Sequence, residues 1–174
     1  RSQAAHIGDA LQALGLDRPL VVGHSLGGAG ALALALDRPD AVGGLALVSP
    51  LTHPLTDVSP AFDGLAIASP AARFAVAWTL AAPMMMMRGE KGAQAAFAPE
   101  PLPGDFATRG GGALLARPGN FQAASADLNA APTDLPGMVS RYPSLAMPVS
   151  ILFGHDDPVL NPETQGEAFA AAVP

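Results

Sequence analysis

One junction in this chain leaves few folds open. A short apolar run, Pro19-Leu20-Val21-Val22-Gly23, passes with no spacer into Gly23-His24-Ser25-Leu26-Gly27, and small residues with leucine follow as far as Asp37. A near-continuous apolar run of this length is the pattern of a parallel strand covered by helices on both faces. The stretch Gly27 to Asp37 reads as a helix. A strand that turns at once into a helix needs a tight bend, and Gly23 and Gly27 let neighbouring backbone come close to it, while Gly28 keeps helix and strand together. Gly44 to Ser49 is a second such run. It completes a strand–helix–strand unit, whose crossover is expected to be right-handed. Val149 to Gly154 reads as a third strand of the same kind.

Composition removes several function classes. The chain has 174 residues, a formal net charge of −6, 49% hydrophobic residues and 14% charged ones. An average globular chain has roughly 25% charged residues, and an extended disordered chain needs many more charges and fewer apolar residues than this one has. A sequence pI near 4.9, with no Lys/Arg cluster, argues against a nucleic-acid binder that works through a basic face. The absence of cysteine excludes disulfides, thiolate metal sites and a cysteine nucleophile. Basic residues are almost all arginine, with Lys91 the single lysine, which reflects coding bias. The longest apolar stretch, Phe74 to Met87, is interrupted by Pro83 and flanked by Arg73 and Arg88. It is too short to span a bilayer and reads as a buried or lid helix, so no stable membrane insertion is expected.

Length predicts one domain. At the start, Ala4, Ile7, Leu11 and Leu14 recur at helical spacing, with Gly15 placed as a cap. Near the end, Asn161-Pro162-Glu163 predicts a helix start, with Asn as cap and an acid in the first turn, and that helix runs towards Ala172. Between the second and third strands the chain is rich in Pro and Gly. Helical pieces are expected near Ala66 to Ala82 and Asn120 to Ala130, and 98–104 reads as loop. A parallel crossover needs only about a dozen residues. This connection is several times longer and must carry its own substructure. The organisation expected is thus a core of residues 1–50 and 141–174, with 51–140 as an insertion and returning helix.

Gly23-His24-Ser25-Leu26-Gly27 matches G-x-S-x-G in the context that gives the pattern meaning. A buried strand before it and a helix after it hold the serine hydroxyl out over the end of the sheet. The Leu26 N–H then lies at a helix N-terminus, where it can donate to a developing oxyanion. The four histidines are scattered and the acids lack ligand spacing, so neither a metal nor a cofactor is expected. Gly110-Gly111-Gly112 has no preceding strand and no following Lys-Ser/Thr, which argues against a phosphate cradle.

The stretch LVVGHSLGGAGALALALDRPDAVGGLALVSP, followed much later by Gly154-His155-Asp156-Asp157-Pro158, resembles the α/β-hydrolase superfamily. The resemblance covers the chain outside the insertion. It implies an α/β protein with a partial α/β-hydrolase fold: parallel strands, flanking helices and an inserted, mostly helical cap. It implies Ser25 as nucleophile, Asp157 as triad acid with Asp156 the adjacent alternative, and the Leu26 amide in the oxyanion hole. In the family's chain order the triad His follows the acid by one more helix and strand, beyond Pro174. His6, His24, His53 and His155 do not match that position, and His53 and His24 read as rim or packing residues. The family's second oxyanion donor comes from an earlier loop and strand that would lie before this chain. The sequence is therefore expected to be an internal fragment, itself inactive, whose first strand is an uncovered apolar edge and which does not form a stable monomer alone.

The function implied is carboxylic-ester hydrolysis through an acyl-enzyme on Ser25. Acyl transfer, C–C bond hydrolysis and perhydrolysis would use the same elbow, and a non-catalytic binding member is the reading from another class. Serine at the elbow argues against the branches that attack with a carboxylate. The substrate expected is a small molecule with an apolar acyl or alkyl part. His24, Trp78 and Met84 are candidate substrate contacts, with Ala75, Val76 and Leu80 near them; packing within the insertion is the competing role for each. Compartment is left open.

Overall fold

The computed structural model describes residues 2–55 and 60–174. The side chain of Arg88, read above as a flank of the apolar stretch, lies outside the described set.

Three parallel strands form a sheet in the order β1-β2-β3: β1 Leu20–His24, β2 Gly44–Val48 and β3 Val149–Leu152. The register pairs Leu20 with Gly44 and His24 with Val48 on one side, and Leu45 with Val149 and Val48 with Leu152 on the other. The α-helices, in chain order, are α1 (Ser2–Ala13), α2 (Leu26–Asp37), α3 (Pro70–Thr79), α4 (Ala81–Phe97), α5 (Pro118–Val139) and a final short α6 (Ala168–Ala172).

The chain falls into two compact units, one of Arg1–Leu55 with Thr133–Pro174, the other of Thr56–Pro132. In the first, α2 is apolar nearly all round, and Gly28 and Ala31 through Leu36 are buried. A helix of that kind is covered on several sides. Leu45 and Leu47 of β2 are buried with it, as are Tyr142, Leu160 and Phe169. Gly15 takes φ 66 at the end of α1, and the Leu16 N–H bonds back to the Leu11 carbonyl, so it does act as the cap. In the second unit, Ala77, Ala81 and Phe121 form a small core, against which Leu65, Ile67 and Val76 pack. The Ser125 hydroxyl donates to the Leu65 carbonyl at 2.6 Å, and Arg73 Nε donates to Ser125 at 3.1 Å.

Several expectations need correction. The strands are not all covered on both faces. Burial alternates along β1 and β3, leaving Leu20, Val22 and Leu152 at 65%, 68% and 68% exposure, while Gly23, Leu45 and Leu47 on the other face are buried. Register partners in a parallel sheet share a face, so the exposed residues form one apolar surface opposite α2. In α1 the inward face is Ala4 and Gly8 with the half-buried Leu11, whereas Ile7 and Leu14 are exposed. Gly8 takes part because Arg38 crosses it: a Cβ there would sit 2.6 Å from the Arg38 guanidinium. Residues 66–69 are not helical, and Ala81–Phe97 is helical throughout. Pro83 falls in the first turn of α4, where no intrahelical N–H bond is lost. Among the described residues no helix is long and apolar enough to cross a membrane.

Candidate functional site

Ser25 is the single residue between β1 and α2, and its backbone has φ 51 and ψ −122. A positive φ is unfavourable for a residue with a side chain, and such strain persists only where the surroundings enforce it. Here they do. The Ser25 N–H donates to the Val48 carbonyl at 3.1 Å, and the Ser25 carbonyl accepts from Gly28 N and Leu51 N, each at 2.9 Å. The turn is thus pinned from β2, from α2 and from the loop after β2. The glycines contribute unequally. A Cβ on Gly23 would lie 2.8 Å from the Gly27 carbonyl oxygen and from the Gly28 Cα, and one on Gly28 would lie 2.5 Å from Pro50 Cβ. A Cβ built on Gly27 would meet nothing within 4 Å, so a side chain there would not clash and glycine is not sterically required at that position. Leu26 opens α2, and its N–H is one of the first-turn donors that have no acceptor within a helix.

Asp157 follows β3, and parallel order puts its loop at the same, carboxyl, end of the sheet as Ser25. One strand separates theirs, so the strand axes are about 10 Å apart. The Asp157 Oδ1 accepts from Val159 N at 2.9 Å and Leu160 N at 3.0 Å, which fixes the half-buried carboxylate. Asp156 differs. Its carboxylate is in solvent and meets the exposed His155 Nδ1 at 2.9 Å. That hydrogen bond, and then the Asp156 charge, raise the His155 pKa.

Of the remaining candidates, His24 ends β1 with an exposed side chain. Trp78 is 63% exposed on α3 beside Phe74, their ring centres 6.1 Å apart, and Met84 is exposed on α4. Trp78 and Met84 belong to the second unit and lie outside its buried core of Ala77, Ala81 and Phe121. A cleft of about 310 Å³ lined by Gly8, Leu11, Arg18 and Arg38 involves none of the candidate residues. No group of His, Asp and Glu is arranged to hold a metal among the described residues.

Sequence reasoning missed four residues at this end of the sheet. Ser49, after β2, has φ 38 and donates its N–H to the Leu152 carbonyl at 2.8 Å. Thr52, Gln165 and Tyr142 are buried, and Thr52 is hydrogen-bonded to each of the other two. Burial pushes the Tyr142 phenol well above its ordinary pKa. Gln165 sits in a π-helical turn, Glu163–Glu167, after the Asn161 side chain caps Thr164 N at 2.9 Å as anticipated. Contacts between residues 113 apart in sequence leave no local signal.

A strained serine between strand and helix, with an anchored carboxylate beyond the next strand but one, defines an α/β protein with a sharp strand-to-helix elbow. The chain belongs to the α/β-hydrolase fold family, whose profile matches residues 1–174. No match was found among curated proteins. Among solved structures the chain is similar to an alpha/beta hydrolase fold protein from Burkholderia ambifaria, at 22% identity and a TM-score of 0.67, covering 98% of this chain and 60% of that one. A thermophilic esterase from Thermogutta terrifontis is similar at 23% identity and a TM-score of 0.58, with coverages of 98% and 59%. The 2-hydroxy-6-oxo-6-phenylhexa-2,4-dienoate hydrolase of a Rhodococcus strain is similar at 15% and 0.67, with coverages of 94% and 55%. At these identities the likeness is one of fold, and the chain spans 55% to 60% of the length of these relatives.

Proposed function

We propose that this chain carries the nucleophile and acid of a serine hydrolase acting on carboxylic esters. The observation that carries the reading is the Ser25 backbone, held at φ 51 by three hydrogen bonds at the end of a parallel strand. Arg18 and Ser49 also take positive φ, but among the described residues Ser25 alone combines it with a direct strand-to-helix turn, the context in which a nucleophile is presented.

Ser25 Oγ attacks the ester carbonyl, and a histidine that follows Asp157 in the family's chain order takes its proton. Asp157 holds that imidazole in the required tautomer. Its Oδ1 is committed to backbone N–H groups, and its second oxygen serves the ring. The Leu26 N–H stabilises the tetrahedral oxyanion, an interaction whose loss typically costs ~3 kcal/mol of barrier. Collapse of that intermediate breaks the ester C–O bond and expels the alcohol, which takes the proton from the imidazolium; water then hydrolyses the acyl-enzyme, releasing the acid and freeing Ser25. Asp157 is favoured over Asp156 because an acid paired with a solvent-exposed histidine is screened and mobile. The substrate is a small ester with an apolar acyl or alkyl part, with His24, Trp78 and Met84 as its candidate contacts.

The test is a fluorophosphonate probe on the full-length protein. Labelling is expected at Ser25, to be lost in Ser25→Ala and strongly slowed in Asp157→Asn. Labelling that survives Ser25→Ala would reject the assignment.

A further inference from the structure

After β2 the chain runs Ser49-Pro50-Leu51-Thr52-His53 away from the carboxyl end of the sheet. Leu51 N is bonded to the Ser25 carbonyl, and two residues on, the His53 Cα lies within about 7 Å of the Leu51 Cα. There the loop meets Gln165, which is 1% exposed. The Gln165 Oε1 accepts from Thr52 N at 2.8 Å and His53 N at 2.9 Å, and its Nε2 donates to the His53 carbonyl at 3.1 Å. Two backbone N–H groups on one side and a carbonyl on the other leave the amide a single orientation.

One proton settles the imidazole. The Thr52 hydroxyl lies 2.6 Å from the Gln165 backbone carbonyl and 3.3 Å from Gln165 Oε1, and both of these can only accept. Thr52 therefore donates its proton to Gln165. The same hydroxyl oxygen lies 2.8 Å from His53 Nδ1 and must accept there. The hydrogen of the neutral ring is thus on Nδ1, and the lone pair is on Nε2. Tyr142 donates to the Thr52 carbonyl and packs edge-on against the His53 ring at 5.9 Å, so hydroxyl and ring plane are both held. Burial lowers the His53 pKa, which keeps the ring neutral near pH 7. Among the described residues no hydrogen bond is made to Nε2.

We propose that His53 is a specificity-determining residue: a tautomer-locked imidazole whose Nε2 accepts a hydrogen bond from a hydroxyl or N–H of the substrate handled at Ser25. The proposal rests on the serine-hydrolase reading for its substrate. The lock rests on Thr52, Gln165 and Tyr142 alone. Ligands of open parallel sheets bind outside the carboxyl ends of the strands, where this loop emerges.

Two measurements test it on the full-length protein. In 15N NMR of histidine-labelled protein near pH 8, His53 is expected to show a protonated Nδ1 and an unprotonated Nε2. Thr52→Val releases the lock to a mixed tautomer population, and Thr52→Ser restores it. A native His53 protonated on Nε2 overturns the proposal without reference to any mutant or activity. The second measurement compares two esters of equal size, one with a hydroxyl in its acyl part and one without. In His53→Phe, which keeps a ring against Tyr142, kcat/KM for the hydroxylated ester should fall about tenfold further than for its partner. Equal effects on both esters overturn the specificity role. Failure of the Ser25 reading shows separately, as probe labelling that survives Ser25→Ala, and does not alter the tautomer result.

Discussion

Replacing Gly28 by alanine puts a carbon 2.5 Å from Pro50 Cβ and 2.9 Å from Pro50 Cα. Ordinary carbon–carbon contacts are about 3.5–4.0 Å, so helix and loop must separate by about 1 Å. Overpacking of this kind costs ~1–3 kcal/mol. Gly30, two residues further along α2, is the internal control: nothing lies within 4 Å of a Cβ built there. Alanine at that site gains about 0.5–1 kcal/mol from helix propensity. At about 2–4 °C per kcal/mol for a chain of this size, Gly28→Ala should lower Tm by about 2–12 °C and Gly30→Ala should raise it by about 1–4 °C. Circular-dichroism melts of the two variants against the native protein read this directly. Fluorophosphonate labelling adds a functional axis, because Pro50 precedes Leu51, whose N–H holds the Ser25 carbonyl. Labelling should slow in Gly28→Ala and not in Gly30→Ala. A Gly28→Ala protein as stable as the native one, or a Gly30→Ala protein less stable, would refute the idea that direct contact between α2 and Pro50 shapes the elbow.

Three further outcomes are expected. Ser25→Gly and Ser25→Ala both remove the hydroxyl, but at φ 51 the glycine variant should be the more stable by about 1 kcal/mol in chemical denaturation, and the reverse order would show that the turn is unstrained. Asp157→Ala should cost ~1–2 kcal/mol by uncapping Val159 N and Leu160 N, while Asp156→Ala stays within about 0.5 kcal/mol; equal effects would argue against the anchored carboxylate. In an NMR titration His155 should have a pKa above the ordinary 6.5, staying charged to higher pH, and Asp156→Asn should bring it back down. Whatever this pair adds to stability is present below pH 6.5 and fades as pH rises through the folded pKa, and salt should weaken it.

What the sequence disclosed was local. Leu20 to Gly23 and the serine after it announce strand and elbow because apolar run, glycine and helix formers are contiguous. Asn161 reads as a cap because the N–H it accepts from, that of Thr164, is three residues away. What stayed hidden depends on partners that sequence does not place. The apolar side chains of Leu20, Val22 and Leu152 look the same whether a helix covers them or not, so exposure on one face of the sheet was unreadable. In α4, Pro83, Gly89 and Gly92 mask a helix whose proline happens to fall where helices tolerate it. The grip of Gln165 on Thr52 and His53 joins opposite ends of the first unit, and neither partner carries a pattern that points to the other.

β2 bears neither the serine nor the carboxylate, yet its peptide groups are bonded to both strands that lead to them. It works as a ruler. The separation of the strand ends from which the two groups depart is set by main-chain ladders, which leaves only the turn at Ser25 and the short loop to Asp157 to fix the rest.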